Sequence, residues 1–414
     1  ERRADFLRNA LERARAAVAS YSPRDAFRIP ADQRDTASAA RLAALLAEHG
    51  VELKSAPNGD VYVPLAQPYG RFVNELLTAQ RYPETKLVPG KDIVRPYDVS
   101  AWTLPLMMGV TAERATLPAA LAPWKAVPPT LPLDGPAVAL APGSPETSRL
   151  VNAGLRAGTA RVARTAVSAG GREWPAGTVF LDGAAAKGAA AIAVPGQAWT
   201  PVPAIPAATE PLRAPRVGLY KPWAASMDEG WTRFVLEQYG FEPKTLDNKA
   251  VRAGNLNAAY DVVVLPDVAK EVIATGKPKR DEGAMRYSPE FPPEYAGGLD
   301  KEGATALKDF VERGGTLVAL SSSAEYVIDE LALPVRNGAA RAEGFAIAGS
   351  ILRAEVAPGH PVTYGLPSEV AIFQDDALAF DTVLPGPEME RRVLATYPAA
   401  PDVLLSGWMR GPEA

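Results

Sequence analysis

Within residues 4–19, Phe6, Leu7, Ala10, Leu11 and Ala14 recur at helical spacing with arginine and glutamate between them. This predicts an amphipathic opening helix within 1–24. A first α/β module, 25–130, follows. It has a short strand at Phe27-Arg28-Ile29, a helix from Ala37 to Glu48 closed by Gly50, and a strand at Val51-Glu52-Leu53. After the Asn58-Gly59 turn come a strand from Asp60 to Leu65 and a helix from Gly70 to Gln80, with Phe72, Val73, Leu76 and Leu77 on one face. The same order recurs about 110 residues later. Ala137 to Leu140, Glu146 to Leu155, Arg161 to Val167 and Gly177 to Leu181 repeat strand, helix, strand and strand. We read a duplicated β-α-β-β portion whose second module spans 131–212. Proline-rich seams, Pro118 to Pro136 and Pro201 to Pro215, mark the boundaries, because proline fixes φ and donates no backbone hydrogen bond.

From Arg216 strands alternate with amphipathic helices, the pattern of a flavodoxin-like, doubly wound parallel sheet, expected over 213–414. Val217 to Tyr220 is a strand, and Ser226-x-x-Glu229 has capping-box spacing before a helix through Trp231, Phe234, Val235 and Leu236, in which Trp231 and Phe234 are expected in the core. Tyr260 to Pro266 reads as a strand buried on both faces. A helix from Glu302 to Glu312 precedes the strand Thr316 to Leu320, which runs into Ser321-Ser322-Ser323 and another helix. Strands at Ile351–Val356, Glu369–Phe373, Arg392–Tyr397 and Val403–Leu405 close the chain. The fold class is therefore α/β.

A length of 414 residues suits two or three domains. Lys plus Arg is 44 and Asp plus Glu is 48, a net charge of −4, which gives no basic footprint for nucleic acid or an anionic membrane. Cysteine is absent, which excludes thiol nucleophiles, disulfides and thiolate metal sites. The longest apolar stretch, Trp102 to Val110, is far short of the roughly 20 residues that span a bilayer. The chain opens on Glu1 without a signal-peptide core and reads as a processed product or a fragment.

Candidate chemistry is sparse. Tyr220, Lys221, Pro222, Trp223 and Asp228 fall between a strand and its helix, at the carboxyl edge where open α/β sheets place ligands. Tyr220, Trp223, Asp228 and Ser322 are the candidate ligand-binding residues of that edge. The loop from Pro289 to Leu299 is long and aromatic, a candidate lid beside it. A serine hydrolase using Ser322 with His360 lacks the Gly-x-Ser-x-Gly elbow, and helix N-capping is the simpler reading of the three serines. His49-x-x-Glu52 matches the spacing of two ligands of a zinc carboxypeptidase, yet a catalytic zinc takes three protein ligands. The only other histidine is His360. No metal or catalytic residue is assigned.

Three stretches carry a resemblance: Pro64-Leu65-Ala66-Gln67-Pro68-Tyr69-Gly70-Arg71; Gln80-Arg81-Tyr82-Pro83; and Arg95-Pro96-Tyr97-Asp98-Val99-Ser100-Ala101-Trp102-Thr103-Leu104-Pro105. They resemble the region downstream of the catalytic domain in large bacterial zinc carboxypeptidase (carboxypeptidase A-like) proteins. Met227 to Arg233, Gly349 to Arg353 and His360 to Pro367 are similar to that family's terminal class I glutamine amidotransferase-like domain. Ser321-Ser322-Ser323 stands where such amidotransferases carry their cysteine. The resemblance implies a secreted or periplasmic parent that cleaves peptides with zinc-bound water, the zinc belonging to a peptidase domain ahead of Glu1. This chain would then be a non-catalytic accessory or scaffold region. Its partners would be that N-terminal peptidase domain and peptide or cell-wall substrate. The alternative is a free-standing secreted binding protein for a small polar, sugar or peptide ligand. Ser406-Gly407-Trp408-Met409 resembles a stretch followed by more sheet, so an unfinished edge is expected near Val403.

Overall fold

The structure, a computed structural model, describes residues 2–83, 93–277, 296–339, 344–375, 378–383, 386 and 389–411. The chain is α/β and divides into two compact units. The first takes in Glu1–Pro211, Gly344–Asp375 and Val393–Ala414, the second Leu212–Glu343 and Asp376–Arg392.

The first unit opens with α1 (Arg2–Ala19), whose only buried residue is Ala17. The predicted helix forms, but Phe6, Leu7 and Leu11 on its apolar side are exposed. There follow β1 (Asp25–Ile29), α2 (Thr36–Glu48), β2 (Lys54–Ser55), β3 (Val61–Pro64), α3 (Gly70–Leu77), α4 (Leu104–Met108), β4 (Glu113–Thr116) and β5 (Ala122–Pro123). The sheet order is β4-β1-β3-β2-β5, with every pair antiparallel. Asp35 starts α2 by accepting the N–H groups of Ala37 and Ser38, both at 3.1 Å. The helix then buries Leu42, Ala43 and Leu46 against Phe27, Ile29, Val63 and Leu65 of the sheet and Val73 of α3.

The second module repeats this with β6 (Ala137–Leu140), α5 (Pro145–Leu155), β7 (Ala160–Val162), β8 (Val167–Ala169), β9 (Arg172–Trp174), β10 (Val179–Asp182), α6 (Gly183–Ala190), β11 (Thr200–Val202) and β12 (Glu210–Leu212). Its order, β11-β6-β10-β7-β12, maps strand for strand onto the first sheet. The two modules share one topology, as the repeat predicts. The β8–β9 hairpin is an addition, standing where the first module has the Asn58-Gly59 turn.

In the second unit, β13 (Val217–Tyr220), α7 (Met227–Gln238), β14 (Lys244–Leu246), α8 (Asn248–Arg252), β15 (Val262–Leu265), α9 (Lys270–Thr275), α10 (Asp300–Glu312), β16 (Thr316–Ala319) and α11 (Ser323–Glu330) build a parallel sheet. Its order β14-β13-β15-β16 is the opening of the flavodoxin-like arrangement. One face packs Tyr220, Leu265, Ile273, Leu307, Phe310 and Tyr326. The other holds Val217, Leu219 and Val264 with Leu236 of α7. Trp231 and Phe234, expected in the core, are instead 66% and 51% exposed. Leu236 is the apolar α7 residue packed against the sheet, while the rings of Trp231 and Phe234 turn outward and pack edge to face on each other at 6.0 Å.

The expected boundary near 213 coincides with the division between units, but 213–414 does not form a single domain. After β17 (Val335–Asn337), the strands β18 (Ala346–Val356) and β19 (Glu369–Gln374) belong to the first unit. β20 (Phe380–Thr382) pairs with β17 in the second, and β21 (Ala395–Thr396) and β22 (Leu404–Arg410) complete the sheet around β18 in the first. The cause lies in the pairing of β18, which takes β19 on one side and β21 and β22 on the other. The unfinished edge expected near Val403 is also corrected. Val403 is buried, and the Gly407 N–H donates to the Gln80 carbonyl at 2.9 Å, so residues 80–82 run along part of β22.

Candidate functional site

At the carboxyl edge of the parallel sheet, the four predicted residues have different fates. Tyr220 is fully buried and its hydroxyl donates to Asn248 Oδ1 at 2.7 Å. Burial pushes its ionisation above the ordinary phenol range, as expected of a group that is expensive to charge away from water. It is a pillar of the core, not a wall of a crevice. Trp223 is 48% exposed and Asp228 is exposed in the first turn of α7. Ser226 caps that helix by accepting the Glu229 N–H at 3.2 Å, while the Glu229 carboxylate is buried and pairs with Arg233 Nε at 3.0 Å.

Ser322 lies in a strand-to-helix elbow. Ser321 holds φ at +49°, a left-handed conformation uncommon outside glycine, and α11 starts two residues later. Ser322 makes no side-chain cap to that helix, contrary to the N-capping expectation. Its own backbone N–H donates to Asp267 Oδ1 at 3.1 Å, and the buried Ser323 hydroxyl donates to the carbonyls of Leu320 and Leu265 at 2.8 and 3.1 Å. An amide held by a carboxylate is a poor donor for an oxyanion, because new negative charge would face Asp267. His360 belongs to the first unit, where its Nδ1 accepts the Val362 N–H at 3.3 Å. Of the candidate lid, residues 289–295 lie outside the described residues. Its far end is tied down: Gly297 accepts Asn248 Nδ2 at 2.9 Å and buried Leu299 donates to Ile273 at 2.7 Å.

The His49-x-x-Glu52 spacing finds ordinary partners. His49 Nδ1 lies 2.8 Å from the Leu45 carbonyl and its ring stacks on Phe72, while the Glu52 N–H donates to Gln67. Among the described residues no group of three or more His, Cys, Asp or Glu is arranged to hold a metal.

A better-formed site lies in the first unit, where sequence reading singled out motifs but assigned no site. A cleft of about 300 Å³ opens between the end of α3 and the segments Gln80–Pro83 and Ser100–Trp102. Gln80 is its pivot. The side-chain amide donates to the carbonyls of Glu75 and Thr78 at 2.6 and 2.7 Å, and its oxygen accepts the Trp102 N–H at 2.9 Å and the Thr103 hydroxyl at 2.8 Å. Ser406 Oγ accepts the Gln80 N–H at 2.8 Å. Beside it, the buried Ser100 hydroxyl bonds the Ala348 carbonyl and lies 3.1 Å from Ser350 Oγ, where the pairing of β18 with β22 shifts register. Gly407 allows this close approach: a Cβ there would sit 2.6 Å from Ser350 Oγ and 2.8 Å from Ser100 Oγ. Every hydroxyl in this buried network has partners, the condition under which such networks rigidify a structure.

On that rigid floor stand Glu75, Arg81, Tyr82 and Trp102. The two rings are 42% and 41% exposed. Glu75 and Arg81 are both exposed, and neither forms an ion pair among the described residues. The signal that could have found the site is the density of Gln, Ser and Thr flanking Tyr82 and Trp102. Their convergence, however, depends on Ser350 and Ser406, hundreds of residues away.

No protein-family model matches the chain, and no curated protein does. Among solved structures it is similar to a GMP synthase component from Thermoplasma acidophilum, at 13% identity over 44% of this chain and 72% of that one, with a TM-score of 0.27. It is also similar to a glutamine amidotransferase from Thermotoga maritima, at 12% identity over 47% and 70%, with a TM-score of 0.29.

Proposed function

We propose that this chain is a non-catalytic accessory region of a secreted zinc carboxypeptidase-like protein, and that it holds peptide or cell-wall peptide for the peptidase domain. The observation that carries the reading is the cleft. It is built from Gln80–Pro83 and Ser100–Trp102, which belong to two of the stretches that carry the resemblance, and it combines aromatic rings with polar side chains. That composition suits recognition of small polar molecules, since concave sites pair apolar walls with a few fixed polar groups. The elbow at Ser321 adds support from the other unit, because Asp267 occupies the Ser322 amide that acyl transfer would need. Zinc would supply a metal-bound water in the peptidase domain, and no step runs through a residue of this chain.

The test is retention of the purified chain on insoluble cell-wall peptidoglycan and on immobilised peptides with free C-termini. Retention on either, released by soluble peptide, is the expected result. A chain that passes through both unretarded would sink the accessory reading.

A further inference from the structure

Glu75 and Arg81 carry opposite charges, line one cleft and form no ion pair with each other or with any other described residue. Opposite charges that share a concavity without neutralising one another are complementary to a ligand that brings both signs. We propose that the cleft binds a small zwitterion, a free amino acid or dipeptide. Its carboxylate lies on the Arg81 guanidinium, its ammonium group on the Glu75 carboxylate, and its side chain against Tyr82 and Trp102. This deepens the accessory reading and rests on it, since a carboxypeptidase releases amino acids.

Three features favour this class of ligand. A volume of about 300 Å³ is at the small end of ligand pockets, which run to about 1,000 Å³, a size that suits one or two residues. A simple anion would meet Glu75 as well as Arg81, and a simple cation the reverse, so either would gain one favourable contact and suffer one repulsive one. The aromatic pair adds apolar area, and Tyr82 and Trp102 can stack on a planar side chain. Gln80 contributes rigidity and not recognition, because its donors and acceptor are already engaged by Glu75, Thr78, Trp102 and Thr103.

The test is calorimetric titration of the full chain with phenylalanine, N-acetylphenylalanine, phenylalaninamide and glucose. Phenylalanine should bind, and capping either end should weaken it about tenfold or more, the scale of a hydrogen bond to a charged group. Arg81→Gln should remove the discrimination against the amide, and Glu75→Gln the discrimination against the N-acetyl form. Both residues are exposed, so the variants retain the fold, which circular dichroism checks. Phenylalanine binding that is unchanged in both variants, or glucose binding in its place, overturns the assignment. So does an absence of binding by all four probes. Retention on peptidoglycan or immobilised peptide in the earlier experiment would then still leave the accessory reading standing.

Discussion

Thr103 Oγ1 and Ser406 Oγ lie 2.9 Å apart in the buried floor of the cleft, although 303 positions separate them in the chain. Ser406 also accepts the Gln80 N–H, so one hydroxyl on β22 positions the segment that carries Arg81 and Tyr82.

Replacing Ser406 by alanine should therefore act on the cleft as well as on stability. It leaves the half-buried Gln80 N–H without its acceptor, and a buried polar group left orphaned costs about 1–3 kcal/mol, an upper bound here. A fall in the urea midpoint of the first unit, with weaker phenylalanine binding, is expected. An unchanged midpoint would show that water replaces the hydroxyl.

Two buried tyrosines should respond in opposite directions to loss of their hydroxyls. Tyr220→Phe breaks a bond to Asn248 and should destabilise the second unit by about 0.5–1.5 kcal/mol or somewhat more. The Tyr326 hydroxyl is buried with no hydrogen-bond partner, so Tyr326→Phe removes a desolvated group that gains nothing and should be neutral or stabilising. Denaturant melts of both variants check the contrast.

Acid should weaken the second unit through Asp261. Hydrogen bonds from the Arg216 side chain and backbone hold its carboxyl at about 2, below its ordinary value of 3.8. The folded state therefore resists protonation more than the unfolded state does. The stabilisation is complete above the unfolded value and is lost as pH falls from about 4 towards 2. Thermal midpoints of wild type and Asp261→Asn should differ at pH 7 and converge near pH 2. A constant gap across that range would contradict the assignment.

Asp267→Ala should free the Ser322 N–H and cost about 0.5–2 kcal/mol, the scale of a lost helix cap. Hydrolysis of p-nitrophenyl acetate should remain at the blank rate in both wild type and variant, as the non-catalytic reading requires; the Ser323 hydroxyl already donates to the Leu320 and Leu265 carbonyls. A burst of nitrophenol in the variant would show that the elbow retains acyl-transfer chemistry.

Local periodicity made much of the architecture legible. The strand-helix-strand-strand order from Phe27 to Leu65 and again from Ala137 to Leu181 recurs in two sheets of one topology, because alternation and 3.6-residue spacing are properties of short segments. The strand expected at Val51–Leu53 instead falls at Lys54–Ser55, and the one expected over Arg161–Val167 ends at Val162. The continuous apolar run at Val262 to Leu265 likewise announced a parallel strand covered on both faces. Which side of an element meets the core is a different matter. Tyr220 reads as a crevice residue by its place after a strand, yet it is buried against Asn248. Trp231 and Phe234 read as core by their chemistry, yet Leu236 makes the contact and the rings face outward.

The site followed the same division. Sequence determined the residue types around Gln80 and Trp102, and with them the capacity for a polar, aromatic surface. Only the tertiary structure decided that those residues enclose a cleft, because the hydroxyls that fix it, Ser350 and Ser406, arrive on strands paired across the length of the chain. Contacts of that kind depend on strand register and on which faces come together. Neither is encoded in the periodicity of any one segment.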